Sequence, residues 1–241
     1  MTPEVEAPFR VGCVPGVTPD KWARRWAERM PRRLLDLVPL GELDGVAMLR
    51  TGDLQMCFVR LPVDRTGLHL IPLYDEQPVV VVSTEHPVAA YDEIAVDDLA
   101  GEHLLQDADD VPAWRDVARE VADGSRYPVP PMTSSQAVES VAADAGILIL
   151  PMSVARLHHR RDVACVPLRG VPSTKIGLVW PEDAKDERIE TFIGVVRGRT
   201  ANSSRTRTPS GTGNGARTVS APGRAERSGT RKSDGTPRRR R

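Results

Sequence analysis

The sequence lacks any long apolar segment. No run of about 18 apolar residues, the length that a membrane-spanning helix needs, occurs in the 241 residues. The N-terminal stretch "MTPEVEAPFR" is acidic and has no apolar core, so it does not have the composition of a secretory signal peptide. We therefore predict a cytoplasmic protein without a membrane partner, folded as one large domain or two small ones.

The sequence also lacks the patterns that carry common catalytic chemistry. Its three cysteines, Cys13, Cys57 and Cys165, are odd in number and have no metal-site or disulfide spacing, so we predict buried reduced thiols. No phosphate-binding glycine loop, dinucleotide-binding fingerprint or GxSxG nucleophile motif is present, and no acid–base pair or set of metal ligands is visible. These absences predict a protein that is not an enzyme and that needs neither a cofactor nor a metal.

The formal net charge is zero, but the charges are unevenly distributed. Residues 199–241 contain 12 Lys and Arg against 2 Asp and Glu, which leaves 21 basic and 31 acidic residues in the rest of the chain. Because this segment is rich in Ser, Thr, Gly, Pro and Arg, we predict a disordered basic tail. Two hypotheses for the tail stay open: non-specific nucleic-acid binding, with Arg238, Arg239, Arg240 and Arg241 as candidates, or folding back onto the acidic body.

Short apolar runs alternate with amphipathic segments along the body of the chain. Strands are predicted at residues 10–14, 34–38, 54–59, 68–73, 78–83, 147–150, 163–168 and 175–180. Strands that alternate with helices of about ten residues indicate crossover connections and parallel pairing. We therefore predict an α/β fold with mostly parallel sheets, in which "ILIL" at 147–150 is a buried parallel strand.

Helix signals fill the spaces between these strands. Thr18 and Pro19 are candidates for the N-cap and first residue of a helix whose buried face carries Trp22, Trp26 and Met30. Three further helices are predicted from apolar spacing, with Gly146 as the C-terminal cap of the third. Their buried faces are Leu43, Val46 and Ala47; Trp114, Val117, Ala118 and Val121; and Val138, Val141, Ala142 and Ala145. A last amphipathic helix carries Ile189, Phe192, Ile193 and Val196.

Hydroxyl residues are concentrated at two of the predicted helix starts. Thr133, Ser134 and Ser135 precede one helix, and Gly16 and Thr18 stand before another. In α/β sheets, ligands bind beside helix N-termini, whose free N–H groups attract anions. Helix capping alone is the alternative explanation, but three consecutive hydroxyls exceed what one cap needs. The two starts are therefore predicted to face each other across a cleft that suits a small carboxylate.

Six segments of the chain match a known family in the correct order. They are "FRVGCVPGVTPDKWARRWAERMP", "ELDGVAMLRTGDLQMCFVRLP", "LIPLYDEQPVVVVSTEHPVA", "DDLAGEHLL", "SVAADAGILILPMSVAR" and "GLVWPED". Each match is degenerate, but the ordered set is jointly specific. Over residues 9–197 the chain resembles the effector-binding domain of LysR-type transcriptional regulators.

The resemblance implies a two-lobed fold of the type II periplasmic-binding-protein kind, with a small-molecule cleft between the lobes. It implies one domain at 9–198, with lobe I at about 9–83 and 168–198 and lobe II at about 84–167. Ligand contacts would come from both lobes, with Arg60 as the charged anchor unless it is a solvated loop arginine. The predicted ligand-binding residues are Pro15, Gly16, Val17, Thr18, Arg60, Thr133, Ser134, Ser135 and Gln136.

The resemblance also bears on partners. Family members carry an N-terminal helix-turn-helix, whereas the first strand here starts near Phe9, so we predict a stand-alone effector domain. Its function would be to sense a small anionic molecule, and the family implies a homodimer through the first helix and the second strand. The alternative is a nucleic-acid-associated accessory protein that acts through the basic tail.

Overall fold

The computed structural model describes residues 7–198, and the predicted tail, with Arg238 to Arg241, lies outside these described residues. Nine strands are present within this part of the chain. They are β1 (Phe9–Cys13), β2 (Leu35–Pro39), β3 (Met56–Leu61), β4 (Leu68–Glu76), β5 (Pro78–Ser83), β6 (Ile94–Ala95), β7 (Leu148–Pro151), β8 (Val163–Arg169) and β9 (Thr174–Pro181).

Seven α-helices accompany the strands in the described residues, together with short 3-10 turns. The helices are α1 (Asp20–Arg29), α2 (Asp44–Arg50), α3 (Pro112–Arg115), α4 (Arg119–Ala122), α5 (Ser134–Ala142), α6 (Met152–Leu157) and α7 (Glu187–Val196). None of these helices combines the length and apolarity that crossing a bilayer requires.

The strands form two separate sheets. The first has the order β2-β1-β3-β9-β4, in which β1 is parallel to β2 and β3, and β9 is antiparallel to β3 and β4. The second has the order β6-β8-β5-β7. We call the first sheet with its packed helices lobe I and the second sheet with its packed helices lobe II. The two-lobed α/β architecture predicted from the sequence is confirmed.

Strand direction corrects one part of that prediction. The sheets are mixed and not mostly parallel, because β5 pairs antiparallel with both β7 and β8. The strand predicted as parallel at 147–150 is therefore antiparallel, apart from a parallel bridge between Leu104 and Ile147. A fully apolar strand is buried on both faces in either orientation, so its composition does not reveal its direction.

The boundary between the lobes also differs from the predicted one. The chain passes from β4 in lobe I to β5 in lobe II at residue 77, and returns through residues 170–173 from β8 to β9. The sequence assigned 78–83 to lobe I, but β5 pairs with β7 and β8 and is an interior strand of lobe II. Two crossings close together place residues 76–78 and 170–174 at the junction between the lobes.

The two lobes have different cores. In lobe I the rings of Phe9 and Trp26 stack with centroids 5.1 Å apart, and those of Trp22 and Phe58 stack at 4.7 Å. The core of lobe II is mainly aliphatic and contains the fully buried Trp114. The predicted buried face of α1 is confirmed at both tryptophans.

Helix ends and faces differ from prediction at several positions. The N-cap of α1 is Pro19, so Thr18 lies outside the helix. Helix α2 begins later than expected, which buries Gly45 and Leu49 and leaves Leu43 91% exposed. The helix predicted around Trp114 is divided into the short α3 and α4.

Gly146 does not cap α5, whose C-cap is Ala143. It has a φ of +155°, and a Cβ atom at this position would lie 2.4 Å from the carbonyl oxygen of His103. Glycine is therefore needed here for a close approach of two backbones at the bridge between Leu104 and Ile147, and not for ending the helix.

Candidate functional site

A cavity of about 1220 Å³ lies between the two lobes. Both lobes and the junction between them contribute to its wall. Lobe I provides Glu42, Leu43, Arg60, Leu61 and Pro62, and the returning junction provides Val171, Pro172, Ser173 and Thr174. The cavity exceeds the range of about 300–1,000 Å³ that is typical of small-molecule sites.

Arg60, on β3, is the charged centre of the lobe I wall. Its Nε atom donates to Glu76 at 2.7 Å, and its Nη2 atom donates to the carbonyl oxygen of Pro15 at 3.0 Å. Its Nη1 atom donates to both carboxylate oxygens of Glu42, at 2.5 and 2.6 Å. Burial alone would lower the pKa of the Arg60 guanidinium, but the hydrogen bonds and charges of Glu76 and Glu42 raise this pKa above its ordinary value.

Glu76 connects this arginine to both lobes. It ends β4, and its side chain is 3% exposed. Besides Arg60, its carboxylate accepts hydrogen bonds from the hydroxyl of Ser153, on α6 of lobe II, and from the hydroxyl of Thr174 at 3.3 Å. A buried carboxylate with three donors is a fixed part of the structure, because any one lost donor leaves charge uncompensated.

Arg126 is the basic residue of the lobe II wall, and its hydrogen-bond partners belong to lobe II. Its Nη2 atom donates to the carbonyl oxygens of Leu104 at 2.9 Å and Gln106 at 2.7 Å, and its Nη1 atom donates to Glu120. The guanidinium also lies 5.1 Å from the ring centroid of Trp114. These contacts fix the loop that follows α4 against residues 104–106 and Trp114 of lobe II.

The rest of the lobe II wall is mostly apolar. Residues 127–132, "YPVPPM", run along the cavity between Arg126 and the start of α5. The other apolar residues of this wall come from residues 105–112, from β7, and from α5 and α6. They include Leu105, Val111, Pro112, Ala137, Leu148, Ile149, Leu150, Pro151 and Val154. Such a wall favours a ligand with an apolar body.

Comparison with known sequences decides the family. The sequence pattern of the LysR substrate binding domain matches residues 4–201. The chain belongs to the LysR substrate-binding domain family. The resemblance that the six sequence segments indicated is therefore confirmed.

Several curated proteins are similar to this LysR domain. The probable hydrogen peroxide-inducible genes activator of Mycobacterium avium is 26% identical over 206 residues, which cover 81% of this chain and 66% of that protein. The HTH-type transcriptional regulator MetR of Escherichia coli K12 is 28% identical over 147 residues, covering 60% of this chain and 42% of that protein. The chain thus matches between two fifths and two thirds of the length of these relatives.

Solved structures show the same fold. The BenM effector binding domain with its effector benzoate has a TM-score of 0.61 and 21% identity, and the match covers 86% of this chain and 97% of that one. The Corynebacterium glutamicum OxyR C206 mutant has a TM-score of 0.61 and 22% identity, with 82% and 65% of the two chains covered. The LysR domain described here therefore has the type II periplasmic-binding-protein-like fold of effector-binding domains.

Of the nine predicted ligand-binding residues, Arg60 and Ser134 line the cavity of this LysR domain. Pro15 contributes through its carbonyl oxygen, which accepts from Arg60. Gly16, with a φ of +85°, packs so closely on Ser153 that a Cβ atom would lie 2.4 Å from the serine hydroxyl. The first loop therefore contacts lobe II directly, and the space that we expected between the loop and lobe II is filled at this point.

The remaining predicted residues have local positions. Val17 is buried in the lobe I core, and Thr18 is exposed. Thr133 accepts from the backbone N–H of Gln136 at 3.3 Å, and Gln136 accepts from the N–H of Thr133 at 2.9 Å, which is a capping box. Ser135 is exposed. Ligand contact at these residues stays a prediction.

Sequence reasoning missed the residues that surround Arg60 and the apolar wall. Glu42 and Glu76 are single carboxylates without a motif, so nothing in the sequence marks them. The three prolines of "YPVPP" were a usable signal, because they predict an extended segment that is not part of a helix or an interior strand. Within residues 7–198, no cluster of His, Cys, Asp and Glu has a geometry that could hold a metal ion.

Proposed function

We propose that this chain senses a small organic anion with an apolar body, and that it acts as the effector-binding part of a transcriptional regulator. The observation that carries the proposal is the guanidinium of Arg60, which is set into the wall of a large and mainly apolar cavity between two lobes. The anion would bind the Nη1 side of Arg60, and its apolar body would lie against β7 and residues 127–132. The BenM domain, which shares this fold, holds benzoate as its effector, and benzoate has this chemistry.

The junction between the lobes supports a signalling role for the cavity. Glu76 and Ser153 join the lobes beside Arg60, and Thr174 adds a donor from the returning segment. A ligand that touches both walls would favour the arrangement of the two lobes to which it binds more tightly. The size of this shift is set by the difference between its binding free energies for the alternative arrangements. A homodimer through α1 and β2 stays a prediction; β2 lies at an edge of its sheet. A cytoplasmic location also stays a prediction.

Peroxide sensing is a second candidate, because a relative is named as a hydrogen peroxide-inducible activator. Peroxide oxidises thiolates much faster than thiols. Burial raises the pKa of Cys13 and of Cys57 to about 12, and burial also raises the pKa of Cys165. Two of the three thiols are buried, and a raised pKa keeps all three in the less reactive neutral form, so the anion-sensing proposal is preferred.

The nucleic-acid alternative depends on residues 199–241, which lie outside the described part of the chain. It stays a prediction, and the proposal for the cavity does not depend on it. The relatives are named as transcriptional regulators, so no enzymatic activity is proposed.

Calorimetry with matched acids and amides tests the proposal. We expect benzoate and phenylacetate to bind at least about tenfold more tightly than benzamide and phenylacetamide, because only the acids gain a charge-assisted contact with Arg60. Arg60→Lys should remove most of this preference. Lysine keeps a positive charge beside Glu76, but its single nitrogen replaces the fork of donors with which arginine can serve Glu76 and the ligand together. Arg169→Lys, outside the cavity wall, is the control. Equal binding of acids and amides, or no binding across the panel, would contradict the proposal.

A further inference from the structure

The carboxylate of Glu42 occupies the donor of Arg60 that an anionic ligand would need. Both of its oxygens lie within hydrogen-bonding distance of Nη1, at 2.5 and 2.6 Å, while Nε and Nη2 are held by Glu76 and Pro15. Glu42 and Arg60 both line the cavity. The free protein therefore already places a carboxylate on Arg60 inside the ligand-binding space.

The two carboxylates on Arg60 differ in how easily they can be replaced. The side chain of Glu42 is 45% exposed, whereas that of Glu76 is 3% exposed. The Glu42 carboxylate is half-exposed and can return to water when it leaves Arg60, so this pair contributes less net stability than a fully buried one. A buried pair cannot be separated without leaving an uncompensated charge. Glu42 is thus the partner that can leave, and Glu76 is the partner that remains.

The charges of the cavity wall oppose a free anion while Glu42 is in place. The charged residues that line the cavity are two arginines, Arg60 and Arg126, and three carboxylates, Glu42, Asp107 and Asp110. Their formal charges sum to one negative charge. Arg126 cannot compensate, because its donors hold two backbone carbonyls and Glu120. An incoming carboxylate therefore has to take over the contact that Glu42 makes.

We propose that Glu42 is a built-in competitor for the effector, and that a carboxylate ligand binds by displacing the Glu42 carboxylate from Nη1 of Arg60. This inference rests on the proposed function, because it assumes that the ligand is an anion bound at Arg60. Glu42 sets the affinity threshold of the sensor: it excludes weakly binding anions, and it moves into solvent when a ligand with enough apolar contact enters.

The test compares benzoate and benzamide binding to the full chain and to two variants by calorimetry. Glu42→Gln removes the competing charge but keeps the size of the side chain. Glu93→Gln is the matched control, because Glu93 forms an exposed pair with Arg169 at 2.9 Å and does not line the cavity. We expect Glu42→Gln to bind benzoate about 5- to 20-fold more tightly, with benzamide affinity changed less than about twofold. Glu93→Gln should bind both ligands as the unchanged chain does.

Two kinds of result would overturn the inference and can be told apart. If the unchanged chain prefers acids to amides but Glu42→Gln leaves benzoate affinity unchanged or lowers it, the competitor role is wrong and the proposed function stands. If Glu42→Gln strengthens benzamide as much as benzoate, the effect is one of space and not of competing charge, and the inference is also wrong. If neither the chain nor the variant binds benzoate at tens of millimolar, the inference falls together with the anion-sensing proposal.

Discussion

The two arginines in the cavity wall provide an instructive comparison between the lobes. Arg60 in lobe I and Arg126 in lobe II are both largely buried, with 11% and 17% of their side chains exposed. Arg126 gives its Nη donors to two backbone carbonyls and to Glu120, which is itself 16% exposed. Arg60 instead gives one nitrogen to a carboxylate that is 45% exposed.

We infer from this difference that a cation in a cavity wall is available to a ligand only if one of its partners can be replaced. Arg126 fixes the loop that carries residues 127–132, so it shapes the apolar wall and does not offer charge. Arg60 has one fixed side, towards Glu76 and the lobe junction, and one exchangeable side, towards the cavity. In the proposed site, lobe I would therefore supply the charge for recognition, and lobe II would supply the apolar surface.

The largest expected effect on stability comes from a comparison of the two carboxylates that bind Arg60. Glu76→Ala should lower the free energy of unfolding by about 3 kcal/mol, because it leaves the buried guanidinium and two hydroxyls without their shared acceptor. Glu42→Ala should lower it by less than about 1 kcal/mol. Urea denaturation monitored by tryptophan fluorescence measures both values. Similar losses for the two variants would show that Glu42 is as much a part of the fixed structure as Glu76.

A smaller effect is expected from the lobe II arginine. Arg126→Met should lower the free energy of unfolding by about 2 kcal/mol, because two carbonyls and Glu120 lose a donor while the aliphatic packing on Trp114 is kept. The preference of the cavity for benzoate over benzamide should stay unchanged. Urea denaturation and calorimetry on the same preparation measure the two properties. Loss of the preference for acids in Arg126→Met would mean that Arg126, and not Arg60, contacts the ligand.

The sequence predicted the local elements of both lobes better than their assembly. Apolar runs located β1, β5 and β9, and the helical spacing of Ile189, Phe192 and Ile193 located α7, because these periods follow from local geometry. The direction of β7 and the lobe to which β5 belongs were wrong. Both depend on which distant strand is the neighbour, and an apolar run carries no information about that choice.

The candidate site was predictable only in part for the same reason. Arg60 and Ser134 line the cavity, and their contact with a ligand stays a prediction. Glu42, Glu76 and Ser153 reach the site from 18, 16 and 93 residues away from Arg60. Single carboxylates of this kind are usually solvated, and only the fold shows that two of them share one guanidinium. The family resemblance supplied the lobes and the cleft, whereas the charges within the cleft needed the structure.

The smallest expected effect compares the hydroxyl residues at the helix starts of the two lobes. In lobe II, Thr133 accepts from the N–H of Gln136, and Gln136 accepts from the N–H of Thr133. In lobe I, the N-cap of α1 is Pro19, no side chain caps this helix, and Thr18 is exposed. Thr133→Ala should therefore lower the free energy of unfolding by about 1 kcal/mol, and Thr18→Ala by a few tenths at most.

Urea denaturation of the two threonine variants, with calorimetry on benzoate, separates capping from ligand contact. If Thr133 only caps α5, the Thr133→Ala variant loses stability but keeps its benzoate affinity at a temperature where it is fully folded. If Thr18 contacts the ligand, the Thr18→Ala variant shows the opposite pattern, with weaker benzoate binding and unchanged stability. The second pattern would show that the first loop belongs to the ligand-binding site. The close contact between Gly16 and Ser153 would then have to open, because it fills the space between the loop and lobe II.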